Sequence, residues 1–174
     1  MKDQLLHHES KFKIQKKPIV LLLDRVSDEA NIGGIFRLAD AFNIEKILFG
    51  EYQPNLNSNR LKRTARKTFQ YIDYDFIQSC FTTVKAYEKE GYKIYALEIT
   101  GDSVPIDSIS FRQNEKVLLI VGNEQTGISK DNLDLSHTRL HISMFGINSS
   151  MNVAQATGIA LYEISKTLYS LNKK

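Results

Sequence analysis

"RLHISMFGINSSMNVAQATGIALYEISK", residues 139–166, runs from an apolar, strand-like stretch through a polar turn into a helix. In the five positions from 148 to 152, Asn148, Ser149, Ser150 and Asn152 are polar. One serine or asparagine suffices to cap a helix, accepting from the orphan N–H groups of its first turn at a gain of about 0.5 to 2 kcal/mol. Four such side chains around Met151 therefore imply that the turn holds something besides its own backbone. The helix that follows is expected over 150–171, with Val153, Thr157, Ala160, Leu161, Ile164, Leu168 and Leu171 forming a mostly apolar stripe.

Upstream, the same junction recurs. "PIVLLLD" (18–24) and "KVLLIVG" (116–122) are short continuous apolar runs, the pattern of strands buried on both faces of a parallel sheet. "GGIFRLADAF" has helical spacing, with Ile35, Leu38, Ala39 and Phe42 on one side, and "KILFG" (46–50) reads as the next strand. A basic helix over 59–68, a strand at "FQYIDY", a helix over 76–90 and strands at 92–99 and "RLHISM" complete the pattern. Strands alternating with helices predict an α/β domain built on a mostly parallel sheet with helices on both faces. A chain of 174 residues has room for one such domain, expected over 18–174 behind a basic N-terminal leader, 1–17.

Composition narrows the function. No segment approaches the ~18 uninterrupted apolar residues of a membrane span, and the first residues lack a signal peptide's apolar stretch, so a cytoplasmic protein with no membrane partner is expected. The single cysteine, Cys80, excludes an internal disulfide framework. His137 and His141 are four apart but straddle a loop-to-strand junction, so no metal site is expected. The net charge of +3 is unevenly spread: residues 1–17 carry +3 and "SNRLKRTARK" (58–67) carries +5, leaving −5 for the remainder. Concentrated positive charge on an otherwise acidic chain is the footprint of a phosphate-bearing partner. Arg60, Lys62, Arg63, Arg66 and Lys67 are the candidate phosphate-binding residues; on a helix Arg60, Arg63 and Lys67 share one face with Lys62 and Arg66 adjacent, and Leu61, Ala65 and Phe69 pack inward.

In open α/β sheets, ligands bind beyond the carboxyl ends of the strands. Three loops there stand out: "NIGGIFR" (31–37), "GNEQTGIS" (122–129) and the turn quoted first. None is a dinucleotide or P-loop fingerprint, and no serine lies in a G-x-S-x-G elbow. Together they resemble the motifs of the SpoU/TrmH branch of the SPOUT methyltransferases. The first motif is matched by Asn31, Gly33 and Arg37, and the second by Gly122, Glu124, Gly127, Ile128 and Ser129. The third is matched by Ile142, Met144, Gly146, Ser150, Met151 and Asn152, with Ser143 where the family has proline.

The resemblance implies a C-terminal deep trefoil knot, S-adenosyl-L-methionine as cofactor, a tRNA or rRNA partner, a homodimer, and methylation of a ribose 2′-hydroxyl. It assigns the cofactor to Leu97, Gly122, Asn123, Glu124, Gly127, Ile142, Met144, Ser150 and Met151. Catalysis falls to Arg37, Asn31, Ser150, Asn152 and Glu124. A guanidinium stays protonated in proteins, so Arg37 is expected to grip phosphate and stabilise developing alkoxide charge. The alternatives are a non-catalytic RNA-binding protein that retains the fold and, disfavoured by the missing phosphate loop, a small-molecule enzyme with a nucleotide cofactor.

Overall fold

The computed structural model describes residues 16–147 and 150–168. The leader up to residue 15, Asn148, Ser149 and the expected helical residue Leu171 lie outside the described residues. Lys16 pairs with Asp73 at 3.0 Å, and Lys17 already belongs to the first strand.

The chain runs β1 (Lys17–Asp24), α1 (Glu29–Phe42), β2 (Ile44–Gly50), α2 (Asn59–Ala65), β3 (Tyr74–Ile77), α3 (Cys80–Lys89), β4 (Tyr92–Leu97), β5 (Val104–Pro105), β6 (Lys116–Gly122), α4 (Lys130–Leu135), β7 (Thr138–His141) and α5 (Val153–Leu168). The seven strands form one sheet in the order β3-β2-β1-β6-β4-β7-β5, and every pairing between them is parallel. Alternate residues of the central strands feed opposite faces, as the two-residue period of a strand requires. Ile19, Leu21, Leu23, Val117, Leu119 and Val121 join the inner sides of α1, α2 and α5, while Val20, Leu22, Leu118 and Ile120 join Cys80 and Val84 of α3 and Ile128 ahead of α4.

The α1 packing is set by its glycines. A Cβ on Gly33 would lie 2.0 Å from Thr64 Oγ1 and 2.8 Å from Ala65 N, so α2 approaches α1 only because that side chain is missing. Ala154 reaches Gly34 and Leu38 reaches Gly158, which brings α5 against the neighbouring side of α1.

Several elements depart from the expectations. The basic helix ends at Ala65 because Arg66 turns to φ 56°, and Thr68–Gln70 form a 3-10 turn, so Lys67 does not continue a face begun by Arg60 and Arg63. Leu61 and Ala65 are buried and Phe69 half-buried, as the inward pattern requires. The strand expected at "FQYIDY" starts instead at Tyr74, where Tyr74 packs edge-on to Phe36 and Phe49. The last strand stops at His141 and α5 begins at Val153. Helix α3 begins at Cys80, with Ser79 as its cap, rather than at residue 76.

One buried carboxylate fastens the sheet's edge to the loop after β6. Asp24 is 0% exposed; Oδ2 accepts from Ser129 N–H at 2.6 Å and Oδ1 from Arg25 Nε at 3.0 Å. Burial by itself raises the carboxyl's pKa, but the hydrogen bonds from Ser129, Asn132 and Arg25 outweigh it and leave the pKa lowered. A carboxylate more acidic in the folded chain stabilises the fold above its unfolded value of about 3.9, and that stabilisation is lost as pH falls through the lower folded value. In chemical denaturation across the acid range, the stability gap between wild type and Asp24→Asn should shrink as pH drops below about 4. A gap of constant size would mean that Asp24 does not titrate with folding.

Candidate active site

Parallel strands of matched register end at one level: Asp24 lies beside both Gly50 and Gly122, and Leu97 beside both Val121 and Leu140. The loops that leave this edge enclose a cleft of 1230 Å³. The expected cofactor residues Leu97, Gly122, Asn123, Glu124, Gly127, Ile142, Met144, Ser150 and Met151 all line it, together with Asn31 and Asn152.

Side-chain hydrogen bonds join the three loops. Asn152 Nδ2 donates to Asn31 Oδ1 at 2.7 Å, and Asn31 Nδ2 donates to Glu124 Oε1 at 2.8 Å. Asn152 also caps α5, its Oδ1 accepting from Ala154 N–H at 2.9 Å and Gln155 N–H at 3.2 Å. Thus the residue that starts the last helix also orients the residue in the first turn of α1. The N-terminus of α5, with its partial positive charge, is at the cleft.

The loop after β6 is shaped by its own contacts. Asn123 Oδ1 accepts from the backbone of Gln125 and Thr126, while its Nδ2 donates to Arg25 O at 2.8 Å. Gly127 has φ 67°, and a Cβ there would lie 2.5 Å from Glu98 Oε2. That carboxylate oxygen accepts from Ile128 N–H at 3.0 Å, so the glycine is required both for its backbone angle and for the approach of Glu98. A Cβ on Gly122 would meet backbone atoms of Gly127 and Ile128 at 2.4 Å.

Arg37 lies elsewhere. It is exposed on α1 and does not line the cleft. Six residues beyond Asn31, it stands about 9 Å further along the helix and on another side of it. The arginine that does line the cleft is Arg60, whose Nη2 pairs with Asp28 Oδ2 at 2.8 Å. Asp28 Oδ1 meanwhile caps α1 through Ala30 and Asn31 N–H, both at 2.9 Å. Ser58, the cap of α2, donates to Glu29, so the starts of α1 and α2 are tied together. Lys62, Arg63, Arg66 and Lys67 are exposed outside the cleft.

Among the cleft residues that sequence reasoning missed are Asp28, Glu29, Tyr52, Glu98 and His141. Glu98 and His141 stand at the carboxyl ends of β4 and β7, where the rule that selected the three loops could have found them. Among the described residues, no group of three or more His, Cys, Asp or Glu could hold a metal ion, and no helix is long and apolar enough to cross a membrane.

The model of the SpoU rRNA Methylase family matches residues 18–162. The chain belongs to the SpoU rRNA methylase family. Among its relatives, an uncharacterized tRNA/rRNA methyltransferase of Borreliella burgdorferi is 29% identical over 157 residues, which are 90% of this chain and 68% of that protein. The 23S rRNA (guanosine(2553)-2'-O)-methyltransferase RlmP of Bacillus subtilis is 28% identical, with 90% of this chain and 62% of RlmP covered. The AdoMet-bound rRNA methyltransferase of Sinorhizobium meliloti superposes with a TM-score of 0.79 at 26% identity, covering 88% of this chain and 57% of that one. This SpoU chain therefore spans between about half and two thirds of the length of these proteins.

The double use of Asn152 gives a separable test. Asn152→Asp keeps an oxygen that can cap α5 but removes the N–H groups that hold Asn31. Its melting temperature should stay within a few degrees of wild type while methyl transfer falls at least tenfold, whereas Asn152→Ala should also lose about 1 kcal/mol of stability. Wild-type turnover by Asn152→Asp would show that the bond to Asn31 is dispensable.

Proposed function

We propose that this chain is an S-adenosylmethionine-dependent methyltransferase acting on a ribose 2′-hydroxyl of tRNA or rRNA. The observation that carries this reading is the joining of Asn31, Glu124 and Asn152, one from each motif, by hydrogen bonds across a single cleft. Asp28, Glu29, Glu98 and Glu124 line that cleft against one arginine, Arg60, a balance that favours a cofactor carrying sulfonium and ammonium charge. The family membership and the methyltransferase names of the relatives support the same activity, and no relative named above favours the non-catalytic alternative.

The reaction breaks the sulfur–methyl bond and forms a methyl–oxygen bond. The hydroxyl proton leaves to water, and S-adenosylhomocysteine remains as a neutral thioether. Sulfur, carbon and oxygen must be in line, an arrangement that by positioning alone contributes about 7 to 11 kcal/mol. Leu97, Gly122, Ile142, Met144, Ser150 and Met151, which line the cleft, would hold the cofactor that supplies the methyl group, and Asn31 and Asn152 would orient the ribose. The trefoil knot belongs to this reading, and so does action in the cytoplasm.

Arg37 acts on the RNA rather than on the cofactor, and it does so across a homodimer. Its position outside its own chain's cleft motivates this assignment. Nearby, where Leu38 packs on Gly158, α5 exposes Ile159 and Tyr162 at 38% and 57%, an apolar patch suited to a second copy. Arg37 of one subunit would then reach the other's cleft and stabilise charge on the 2′-oxygen. Arg37→Ala is expected to abolish methyl transfer without changing S-adenosylhomocysteine affinity by calorimetry. Mixing it with a cofactor-binding-defective variant should restore activity once subunits exchange; proven heterodimers without activity would mean that each chain works alone.

The five exposed basic residues at 60–67 supply affinity for the RNA backbone. Phosphate contacts give affinity that falls steeply with salt through counterion release, and they carry little sequence information. Neutralising Arg63, Arg66 and Lys67, which lie outside the cleft, should together reduce the slope of log affinity against log salt by about 2 to 3 and leave cofactor binding intact. An unchanged slope in filter-binding titrations would place the RNA on another surface.

A further inference from the structure

His141 ends β7 and lines the cleft, and nothing in the motif assignments uses it. Its Nδ1 lies 3.0 Å from Ser103 Oγ. Which of the two donates is decided by the turn before β5. Ser103 Oγ donates its single proton to Thr100 O at 2.8 Å and accepts from Thr100 N–H at 3.0 Å. The remaining lone pair can only accept, so the proton between the two residues belongs to His141 Nδ1.

In an uncharged imidazole one nitrogen carries hydrogen and the other accepts, so a donating Nδ1 leaves Nε2 as an acceptor. No protein group among the described residues takes that acceptor. The turn that imposes it is itself braced. Thr100 Oγ1 donates to Asp102 Oδ1 at 2.7 Å, and Arg139 of β7 reaches the same oxygen at 3.1 Å. His137, four residues earlier, has the opposite arrangement: its Nδ1 accepts from Ile94 N–H at 2.9 Å, which leaves Nε2 as the donor to Glu88 at 2.8 Å. Both nitrogens of His137 are thus spent on the protein. Only one nitrogen of His141 is.

We infer that His141, its tautomer fixed by Ser103, recognises the cofactor by accepting at Nε2 a hydrogen bond from the adenosyl group. The adenosyl group has two kinds of donor, the adenine amino group and the ribose hydroxyls. An acceptor side chain placed beside them adds directional contact to that provided by the apolar groups Leu97, Ile142 and Met144 of the same cleft. This inference rests on the proposed methyltransferase reading.

Calorimetry of the full-length chain tests it with two probes, S-adenosylhomocysteine and S-inosylhomocysteine, in which the amino group becomes a carbonyl. His141→Phe keeps a flat ring but has no nitrogens, and its affinity for S-adenosylhomocysteine should fall about tenfold. If the amino group is the donor, wild type loses a similar factor on the inosyl probe and the variant loses nothing more. If a ribose hydroxyl is the donor, wild type binds both probes alike and the variant weakens for both. Nitrogen-15 NMR of the His141 ring is the readout that a merely structural role would not move: it should show hydrogen on Nδ1 in wild type and a mixture of tautomers in Ser103→Ala. Wild-type affinity in a folded His141→Phe, or hydrogen found on Nε2 of wild type, would overturn the inference and leave the methyltransferase reading standing. Failure of wild type to bind S-adenosylhomocysteine at all would overturn both.

Discussion

Parallel pairing that keeps register up to the carboxyl ends of the strands is the constraint on which the molecule depends. β1 pairs in unbroken register with β2 from Val20 to Asp24 on one side and with β6 from Ile19 to Asp24 on the other, so Asp24, Gly50 and Gly122 arrive side by side. A parallel strand cannot return by a tight hairpin, so each must hand the chain to a crossover that leaves from this common edge. The loops that carry Asn31, Glu124 and Asn152 are brought together by that rule before any of their own contacts form. Their hydrogen bonds then select one arrangement among those the sheet permits. Burial of Asp24 serves the same end, because the N–H of Ser129 is pulled back to the end of β1.

Most of this was legible in the residues. The continuous apolar runs at 18–24 and 116–122 became fully parallel central strands, and the strand-end rule led to loops that do meet in one cleft. What stayed illegible has physical causes. β5 has only two residues, too few to show any periodicity, yet its pairing with β7 places Ser103 beside His141. The end of α2 is fixed by the positive φ of Arg66, a residue type that gives no warning of a left-handed backbone. Arg37 could be identified by its spacing from Asn31, but spacing says nothing of which cleft a side chain on an exposed helical face will serve.

The basic segment illustrates how charge counting and geometry differ. All five cations are exposed, but Arg60 is held at the cleft by Asp28 while the rest lie outside it. One end of the segment therefore borders the cleft and the other leaves it. The carboxylate that holds Arg60 is also the cap of α1, so the entry of the basic helix and the start of the motif-bearing helix share a single side chain.

The cap at Asn152 limits where the chain can change length. A residue inserted between Asn152 and Val153 would turn α5 by about 100° and shift it by about 1.5 Å relative to Asn152, so that side chain could no longer cap the helix and hold Asn31 at once. A residue inserted among exposed Phe145, Gly146 and Ile147 would be absorbed as slack before the cap is reached. The turn is thus divided into a part whose length is free and a part whose length is fixed by the phase of a helix. Among homologous chains, variation in loop length should stop abruptly at Asn152, although nothing in the residues' polarity marks that border.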